Sequence, residues 1–174
     1  MNPTVPRETE RLRLRSLEEA DVEPLFAIYG DPETMRLVGR TGRPIPDLET
    51  ARRAVDSIRA GEEANGFALW AVDELDGDRL VGVAGLARVE GEGPEIEAAY
   101  ILRRDRWGRG YATEALRAVL QIGHAELGLD RIVALAYLEN DASRRVMEKC
   151  GMRPEGTVEA YGRTMTRHVS TPGA

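Results

Sequence analysis

The chain has 174 residues, of which 42% are hydrophobic and 31% charged, and this ordinary globular composition suits one domain with a real core. Its formal net charge of −6 argues against a general binder of nucleic acid or of anionic membranes, because such binders neutralise phosphates with an excess of Lys and Arg. No apolar run reaches the roughly 20 residues of a membrane span, and the amino terminus lacks the apolar core of a secretion signal, so we expect a cytoplasmic protein.

A tail and a short strand begin the chain. Two prolines in the first six residues indicate a loose segment, and we expect residues 1–10 to form a flexible tail before a single domain over 11–170. Between Arg11 and Arg15, arginine alternates with leucine, which is typical of a half-buried strand.

Helical periodicity follows this strand. The pattern predicts helices that begin after a capping box at Ser16, at Pro32 and at Leu48, the last of them ending at Gly61. A mobile loop is expected over 39–47.

The next segment has the pattern of strands. Apolar and β-branched runs at 67–72, 80–89 and 95–102 predict three strands, with a hairpin signal at Asp76-Gly77 between the first two. Strands joined by such short turns form an antiparallel meander.

A helix and a buried strand continue the chain. A wide apolar stripe predicts a helix that ends at Gly128, and the apolar run 131–138 predicts a strand parallel to 95–102, which completes a right-handed βαβ unit. We therefore expect an α/β fold with a mixed, mostly antiparallel central sheet and helices on both faces. The remaining helix and two strands are expected at 141–150, 157–160 and 164–170.

The turn at 103–110 combines arginine and glycine directly before a helix. Gly108 and Gly110 allow close approach of the backbone, and the free N–H groups of the helix start attract anions. Positive charge is added by the neighbouring arginines, Arg103, Arg104, Arg106 and Arg109. The turn predicts an anion site, although the motif taken alone fits a purely structural turn better.

Two nucleotide-binding folds do not fit this turn. A dinucleotide fold requires a third glycine where Thr113 stands and an acid at the far end of the next strand, whereas Asp130 precedes that strand. A P-loop requires Gly-Lys followed by Ser or Thr, which is absent. Cys150 is the only cysteine and the two histidines are far apart, so no metal is expected.

Two signatures resemble the GNAT superfamily of acyl-CoA-dependent N-acyltransferases. Residues 105–110 align with its pyrophosphate loop, except that Asp105 stands where Gln or Arg is usual. Asn140 and Ser143, followed by the letters EKCGM, are similar to its second signature. WGRGYATEAL and the amino-terminal TERLRLRSLEEAD resemble the branch that acetylates the amino termini of ribosomal proteins.

The resemblance implies a splayed pair of parallel strands that holds acetyl-CoA as co-substrate. It implies that the backbone of Ile101 and Leu102 pairs with the pantetheine arm and that Asn140 hydrogen-bonds this arm. A backbone N–H between Ile101 and Arg103 would stabilise the charge that develops on the thioester oxygen. The residues expected to enclose the pyrophosphate are Arg106, Trp107, Gly108, Arg109, Gly110, Tyr111, Ala112 and Thr113.

Amide formation from a thioester requires a neutral amine. A lysine-like amine, with a pKa near 10.4, is almost wholly protonated at pH 7, so a base or a water relay is needed. Glu97 resembles the strand glutamate that serves the family as base, and its alternative role is that of a solvent-facing strand residue.

The leaving thiol, with a pKa of about 8.5, needs only modest help from an acid. Many relatives use a tyrosine two residues before the lysine of the second signature, but Met147 stands there. In the resembled branch a serine aligned with Ser143 approaches the sulfur, which makes Ser143 a candidate proton donor or thiolate stabiliser. Its alternative role is helix capping.

These signatures lead to the hypothesis of an enzyme that moves acetyl from acetyl-CoA directly to a primary amine. The resemblance favours the amino terminus of a protein as acceptor, and it places acceptor contacts near Glu159 and Tyr161. A small amine or antibiotic amine, and a non-catalytic acyl-CoA sensor, are the alternatives. Either a monomer or a homodimer fits the sequence.

Overall fold

The computed structural model describes residue 3 and residues 5–173, and one eight-stranded sheet forms its centre. The strands are β1 Arg7–Glu8, β2 Leu12–Arg15, β3 Leu69–Glu74, β4 Gly82–Arg88, β5 Ile96–Leu102, β6 Ile132–Tyr137, β7 Arg153–Ala160 and β8 Arg163–Ser170. Their order across the sheet is β1-β2-β3-β4-β5-β6-β8-β7, and every neighbouring pair is antiparallel except β5 with β6. The predicted mixed, mostly antiparallel sheet is confirmed.

Helices cover both faces of this sheet, as predicted. They are α1 Val22–Tyr29, α2 Pro32–Met35, α3 Leu48–Asn65, α4 Tyr111–Gln121 and α5 Asp141–Lys149. Helices α1 and α3 pack on one face against Ala71 and Val83, and α4 and α5 pack on the other face against Leu86 and Ala134. In the part of the chain that the structure describes, no helix has the length and apolar character needed to cross a membrane.

The start of α1 differs from the prediction. Ser16 does not begin the helix; a 3-10 turn precedes α1, and the carboxylate of Asp21 accepts the N–H of Glu18 there. Asp21 and Asp73 both accept hydrogen bonds from the buried guanidinium of Arg15, at N–O distances between 2.7 and 3.0 Å. Buried charges are tolerated only when they are paired, so this cluster holds β2, β3 and the turn in one arrangement.

The amino-terminal segment is partly ordered into the sheet. Of the tail predicted over 1–10, residues 1, 2 and 4 lie outside the described residues. Arg7 and Glu8 form β1 and pair with β2. The single domain over 11–170 stays a prediction.

The parallel pair β5 and β6 separates soon after it forms. Its register consists of Glu97 opposite Val133, although β5 continues to Leu102 and β6 to Tyr137. On their outer sides, β5 stays paired with β4 and β6 with β8 along their whole lengths. Each strand is therefore held by its other neighbour, and a gap opens between them towards their carboxyl ends.

Candidate functional site

The gap between β5 and β6 exposes backbone groups that lack a strand partner. Along β5, successive residues alternate between facing β4 and facing the gap, and the N–H of Arg103 bonds to the carbonyl of Val81 on the β4 side. Ile101 therefore also directs its backbone groups at β4, whereas Tyr100 and Leu102 face the gap. The expected contact of the Ile101 backbone with a ligand in the gap is wrong, because the backbone groups of Tyr100, and not those of Ile101, face the gap.

The turn after β5 presents a row of N–H groups. Gly108 and Gly110 have φ values of 73° and 82°, in the left-handed region that glycine adopts readily. The N–H groups of residues 108–113 have no acceptor among the described residues. A Cβ on Gly108 would meet nothing within 4 Å, so the turn is open on this side. Free N–H groups at the positive end of α4 suit a pyrophosphate.

Two of the four arginines beside this turn, Arg103 and Arg106, are bound by carboxylates of the protein. Arg106 bonds Glu74 at 2.9 Å and Asp78 at 2.8 Å, and Arg103 bonds Asp78 at 2.6 Å and Asp105 at 2.7 Å. The expectation that all the arginines add free positive charge is therefore wrong for Arg103 and Arg106. The backbone N–H groups remain as the main groups for holding an anion.

Trp107 closes the turn onto the end of β5. Its indole N–H donates to the carbonyl of Leu102 at 2.8 Å, which leaves the N–H of Leu102 as its backbone group facing the gap. Among residues 101–103, where an oxyanion donor is expected, the N–H groups of the other two face β4. Leu102 is thus the donor that the geometry makes available.

Arg11 holds the other side of the turn, a contact that the sequence did not suggest. Its guanidinium donates to the carbonyl of Arg109 at 3.0 Å, pairs with Glu114, and lies 4.9 Å from the ring centroid of Tyr111. A cleft of about 520 Å³ runs from here along α4 as far as Lys149.

Glu97 lies where the parallel pairing ends, and its side chain is buried. The residue is 7% exposed, and its Oε2 accepts a hydrogen bond from the hydroxyl of Tyr161 at 2.6 Å. Burial raises the pKa of Glu97 to about 7, while the Tyr161 hydroxyl and the backbone N–H of Leu135 act to lower it. The alternative of a solvent-facing residue is wrong. A carboxyl that is about half ionised near neutral pH suits a general base.

Ser143 lies on the first turn of α5, but it does not cap the helix. Asn140 does so, because its Oδ1 accepts the N–H of Ser143 at 3.0 Å. The hydroxyl of Ser143 lies 2.7 Å from the hydroxyl of Tyr100, a residue that the sequence analysis did not single out. The capping role proposed for Ser143 is therefore wrong. The amide nitrogen of Asn140 has no partner in the described structure and remains able to donate to a ligand.

Glu97 and Ser143 lie on opposite faces of the sheet. Side chains alternate along β5, so Glu97 shares the face of Ile101, which packs with α1 and α3. Tyr100 points to the opposite face, where α4 and α5 pack, and meets Ser143 there. The gap therefore has a carboxyl on one side and a hydroxyl pair on the other.

Three connecting segments meet on the face that carries Glu97. The β4–β5 loop contributes Glu90, the β7–β8 turn contributes Tyr161, and the segment 39–47 contributes Arg40. The β4–β5 loop and Arg40 border a cleft of about 570 Å³, which is lined by Arg40, Val89, Glu90, Glu92, Gly93, Pro94 and Glu95. This cleft is the candidate entrance for an acceptor.

Comparison with known proteins identifies one domain family. The acetyltransferase (GNAT) domain matches residues 11–153. The uncharacterized N-acetyltransferase YoaA of Bacillus subtilis is 29% identical over 158 residues, which are 88% of this chain and 86% of YoaA. The FsC-acetyl coenzyme A-N(2)-transacetylase of Aspergillus fumigatus is 32% identical over 155 residues, which are 83% of this chain and 63% of that protein.

A solved structure shares the whole fold. The ribosomal-protein-S5-alanine acetyltransferase of Vibrio fischeri superposes with a TM-score of 0.77 over 98% of both chains, at 15% identity. At this identity the likeness concerns the fold.

The substitution Glu97→Gln should change how stability depends on pH. The pKa of Glu97 in the folded protein, about 7, lies above the value of about 4.3 in an unfolded chain. The contribution of this carboxyl to stability is thus complete below the unfolded value and is lost as the pH rises through 7, by roughly 2–3 kcal/mol between pH 5 and pH 8.5. Urea unfolding should show a larger loss across this interval for the unmodified protein than for Glu97→Gln.

The matched control is Glu49→Gln on α3, which removes a carboxyl that is 77% exposed. It should leave the pH dependence as it is in the unmodified protein. If Glu97→Gln does the same, the carboxyl does not titrate in the buried environment described above.

Proposed function

The chain belongs to the GNAT acetyltransferase family and is an acetyl-CoA-dependent N-acyltransferase, and from this premise we propose that its acceptor is the amino terminus of a protein. The observation that carries this proposal is the buried carboxyl of Glu97, whose pKa of about 7 lies close to that of an α-ammonium group. The resemblance of the sequence to the branch that acetylates ribosomal-protein amino termini points the same way.

The pKa of the base bears on the choice of acceptor. An α-ammonium group, with a pKa near 7.8, gives its proton to such a carboxylate at a cost of about 1 kcal/mol. A lysine-like ammonium, with a pKa near 10.4, gives it up at a cost of about 4–5 kcal/mol. Glu97 is therefore matched to an α-amine, and it would deprotonate a lysine-like amine poorly.

The residues around the gap fit acetyl-CoA. The N–H and C=O groups of Tyr100 suit the amide-containing pantetheine arm, with Asn140 as a further donor, and the N–H of Leu102 remains for the thioester oxygen. The free N–H groups of 108–113 suit the pyrophosphate, and they lie at the end of β5 that the arm would reach. When bound there, acetyl-CoA supplies the acyl group and a thiolate leaving group.

Each residue then has one task in the transfer. Glu97 takes a proton from the acceptor ammonium, directly or through a water molecule. The N–H of Leu102 donates to the carbonyl oxygen as charge develops on it, while the new C–N bond forms and the C–S bond breaks. The Ser143 hydroxyl, 2.7 Å from the hydroxyl of Tyr100, would donate a hydrogen bond to the departing thiolate, which takes up the second proton of the amine nitrogen.

A small amine is the second candidate acceptor. The relative from Aspergillus fumigatus is named as an N(2)-transacetylase of FsC, and the cleft of about 570 Å³ carries three carboxylates that would attract a small cation. These carboxylates belong to Glu90, Glu92 and Glu95.

A thiol-release assay should rank the acceptors. We expect peptides with a free amino terminus to react at least about tenfold faster at pH 7 than amino-terminally acetylated peptides that offer only a lysine side chain, because of the pKa match above. Faster turnover of a polyamine or another small amine would replace the proposed acceptor with the second candidate. Thermal stabilisation by CoA without turnover of any amine would instead indicate a non-catalytic sensor.

Glu97→Gln should lower kcat/KM about 100-fold or more at pH 7, the usual effect of losing a general base. The difference should shrink at pH 9, where an α-amine is neutral without help. Pre-steady-state or steady-state assays at both pH values, with Glu49→Gln as the control, measure this. An unchanged pH profile would remove Glu97 as the base.

Ser143→Ala should lower kcat about tenfold, which is less than the usual effect of a general acid, because the leaving thiol has a pKa of only about 8.5. The KM for acetyl-CoA should stay nearly constant, and Ser143→Thr, which keeps a hydroxyl, should recover part of the rate. A Ser143→Ala enzyme with unaltered kcat would exclude Ser143 from the chemistry.

A further inference from the structure

Two non-glycine residues with left-handed backbone angles meet beside Glu97. Glu90, in the β4–β5 loop, has a φ of 56°, and Tyr161, in the β7–β8 turn, has a φ of 55°. The left-handed region of φ and ψ costs a non-glycine residue roughly 1–2 kcal/mol. Within the described residues it is otherwise occupied, glycine apart, only by Leu80. Strained residues persist where the surrounding structure holds them, often at functional sites.

Hydrogen bonds join these two residues in both directions. The N–H of Tyr161 donates to Oε1 of Glu90 at 2.7 Å, and the N–H of Glu90 donates to the hydroxyl oxygen of Tyr161 at 3.2 Å. The Tyr161 hydroxyl in turn donates to Oε2 of Glu97 at 2.6 Å. We name the Glu90–Tyr161 pair the clasp. The clasp fixes the position of the Tyr161 hydroxyl, which donates its hydrogen to Glu97.

The turn itself does not explain the tyrosine. Tyr161 and Gly162 both have positive φ, 55° and 70°, as in the two-residue turns that favour Asn-Gly or Gly-Gly. An aromatic residue is a poor choice for the first of these positions. The role of Tyr161 must therefore come from its side chain, whose polar end reaches Glu97.

We propose that Tyr161, held by Glu90, is a positioning residue for Glu97: its hydroxyl fixes the orientation of the carboxylate and favours the ionised form. This proposal rests on the proposed role of Glu97 as the base. The hydroxyl touches the carboxylate and not the acceptor, so its effect passes through Glu97.

The other charged groups around Glu97 are bound to one another. Arg40, from the segment 39–47, reaches Glu90 at 3.4 Å. Arg167 of β8, opposite Leu135 in the sheet, pairs with Glu95 and Glu155. The Tyr161 hydroxyl is thus the side-chain group that bonds Glu97 within the described structure. A hydrogen bond to a carboxylate lowers its pKa, whereas burial raises it. Removal of the Tyr161 hydroxyl should therefore raise the pKa of Glu97.

The test is the pH profile of Tyr161→Phe, which keeps the ring and the backbone bond to Glu90. The acidic limb of kcat/KM should move up by about one pH unit, the rate at pH 6.5 should fall about tenfold, and the rate at pH 9 should stay within about threefold. The KM for acetyl-CoA should be unchanged. Tyr29→Phe on α1, which removes a hydroxyl from a tyrosine that packs in the cluster of α1 and α3, serves as the matched control and should keep the original profile.

Glu90→Ala provides a second variant, which releases the backbone of Tyr161 and should move the acidic limb in the same direction. NMR titration of the Glu97 carboxyl in Tyr161→Phe, without substrates, provides a readout that does not depend on turnover, and its pKa should rise. A uniform loss of rate with an unmoved limb and an unmoved titration would overturn the proposal.

The role of Glu97 as base and the positioning role of Tyr161 are tested separately. If Glu97→Gln retains the original pH profile, Glu97 is not the base and the mechanism itself fails. If Glu97→Gln abolishes the acidic limb while Tyr161→Phe leaves it in place, only the positioning role of Tyr161 is overturned.

Discussion

The early end of the pairing between β5 and β6 is the constraint on which the rest of the site depends. Beyond Glu97 and Val133 each strand keeps its outer partner, so neither can close the gap without losing hydrogen bonds to β4 or β8. Buried backbone N–H and C=O groups are costly when they lack a partner. The groups of Tyr100 and Leu102 therefore form a binding edge that an extended, amide-containing ligand can complete.

Several of the charged side chains around the site are paired with one another. The hairpin between β3 and β4 supplies Glu74 and Asp78 to the arginines of the turn, and Asp105 completes that network. An anion in the turn would thus be held by fixed N–H dipoles, which need no reorganisation. Glu97 differs from these paired groups, because burial raises its pKa more than its hydrogen bonds lower it. The carboxyl is therefore about half ionised at neutral pH.

Sequence patterns predicted the features that depend on near neighbours in the chain. The strands, the βαβ unit and the glycine turn follow from periodicity and from residues a few positions apart. The partners of the functional side chains are distant, since Ser143 meets Tyr100 across 43 positions and Tyr161 meets Glu97 across 64. No local pattern encodes such contacts, so the roles of Tyr100 and Tyr161 were missed. For the same reason, the capping alternative for Ser143 and the solvent-facing alternative for Glu97 were excluded only by the cap at Asn140 and by burial.

The separation of the site into two faces explains why the family signatures describe one substrate better than the other. The turn, Asn140 and Ser143 all belong to the face of α4 and α5 or to the gap, and their geometry follows from a βαβ unit whose contacts are local in the chain. The proposed acceptor side is built from the segment 39–47, the β4–β5 loop and the β7–β8 turn, which connect the strands and helices of the core. Connections tolerate sequence change because few core contacts depend on them. On the proposed assignment, acceptor preference can therefore diverge while the acetyl-CoA site is kept, provided that Glu97, the proposed base on the shared strand, stays buried and correctly oriented.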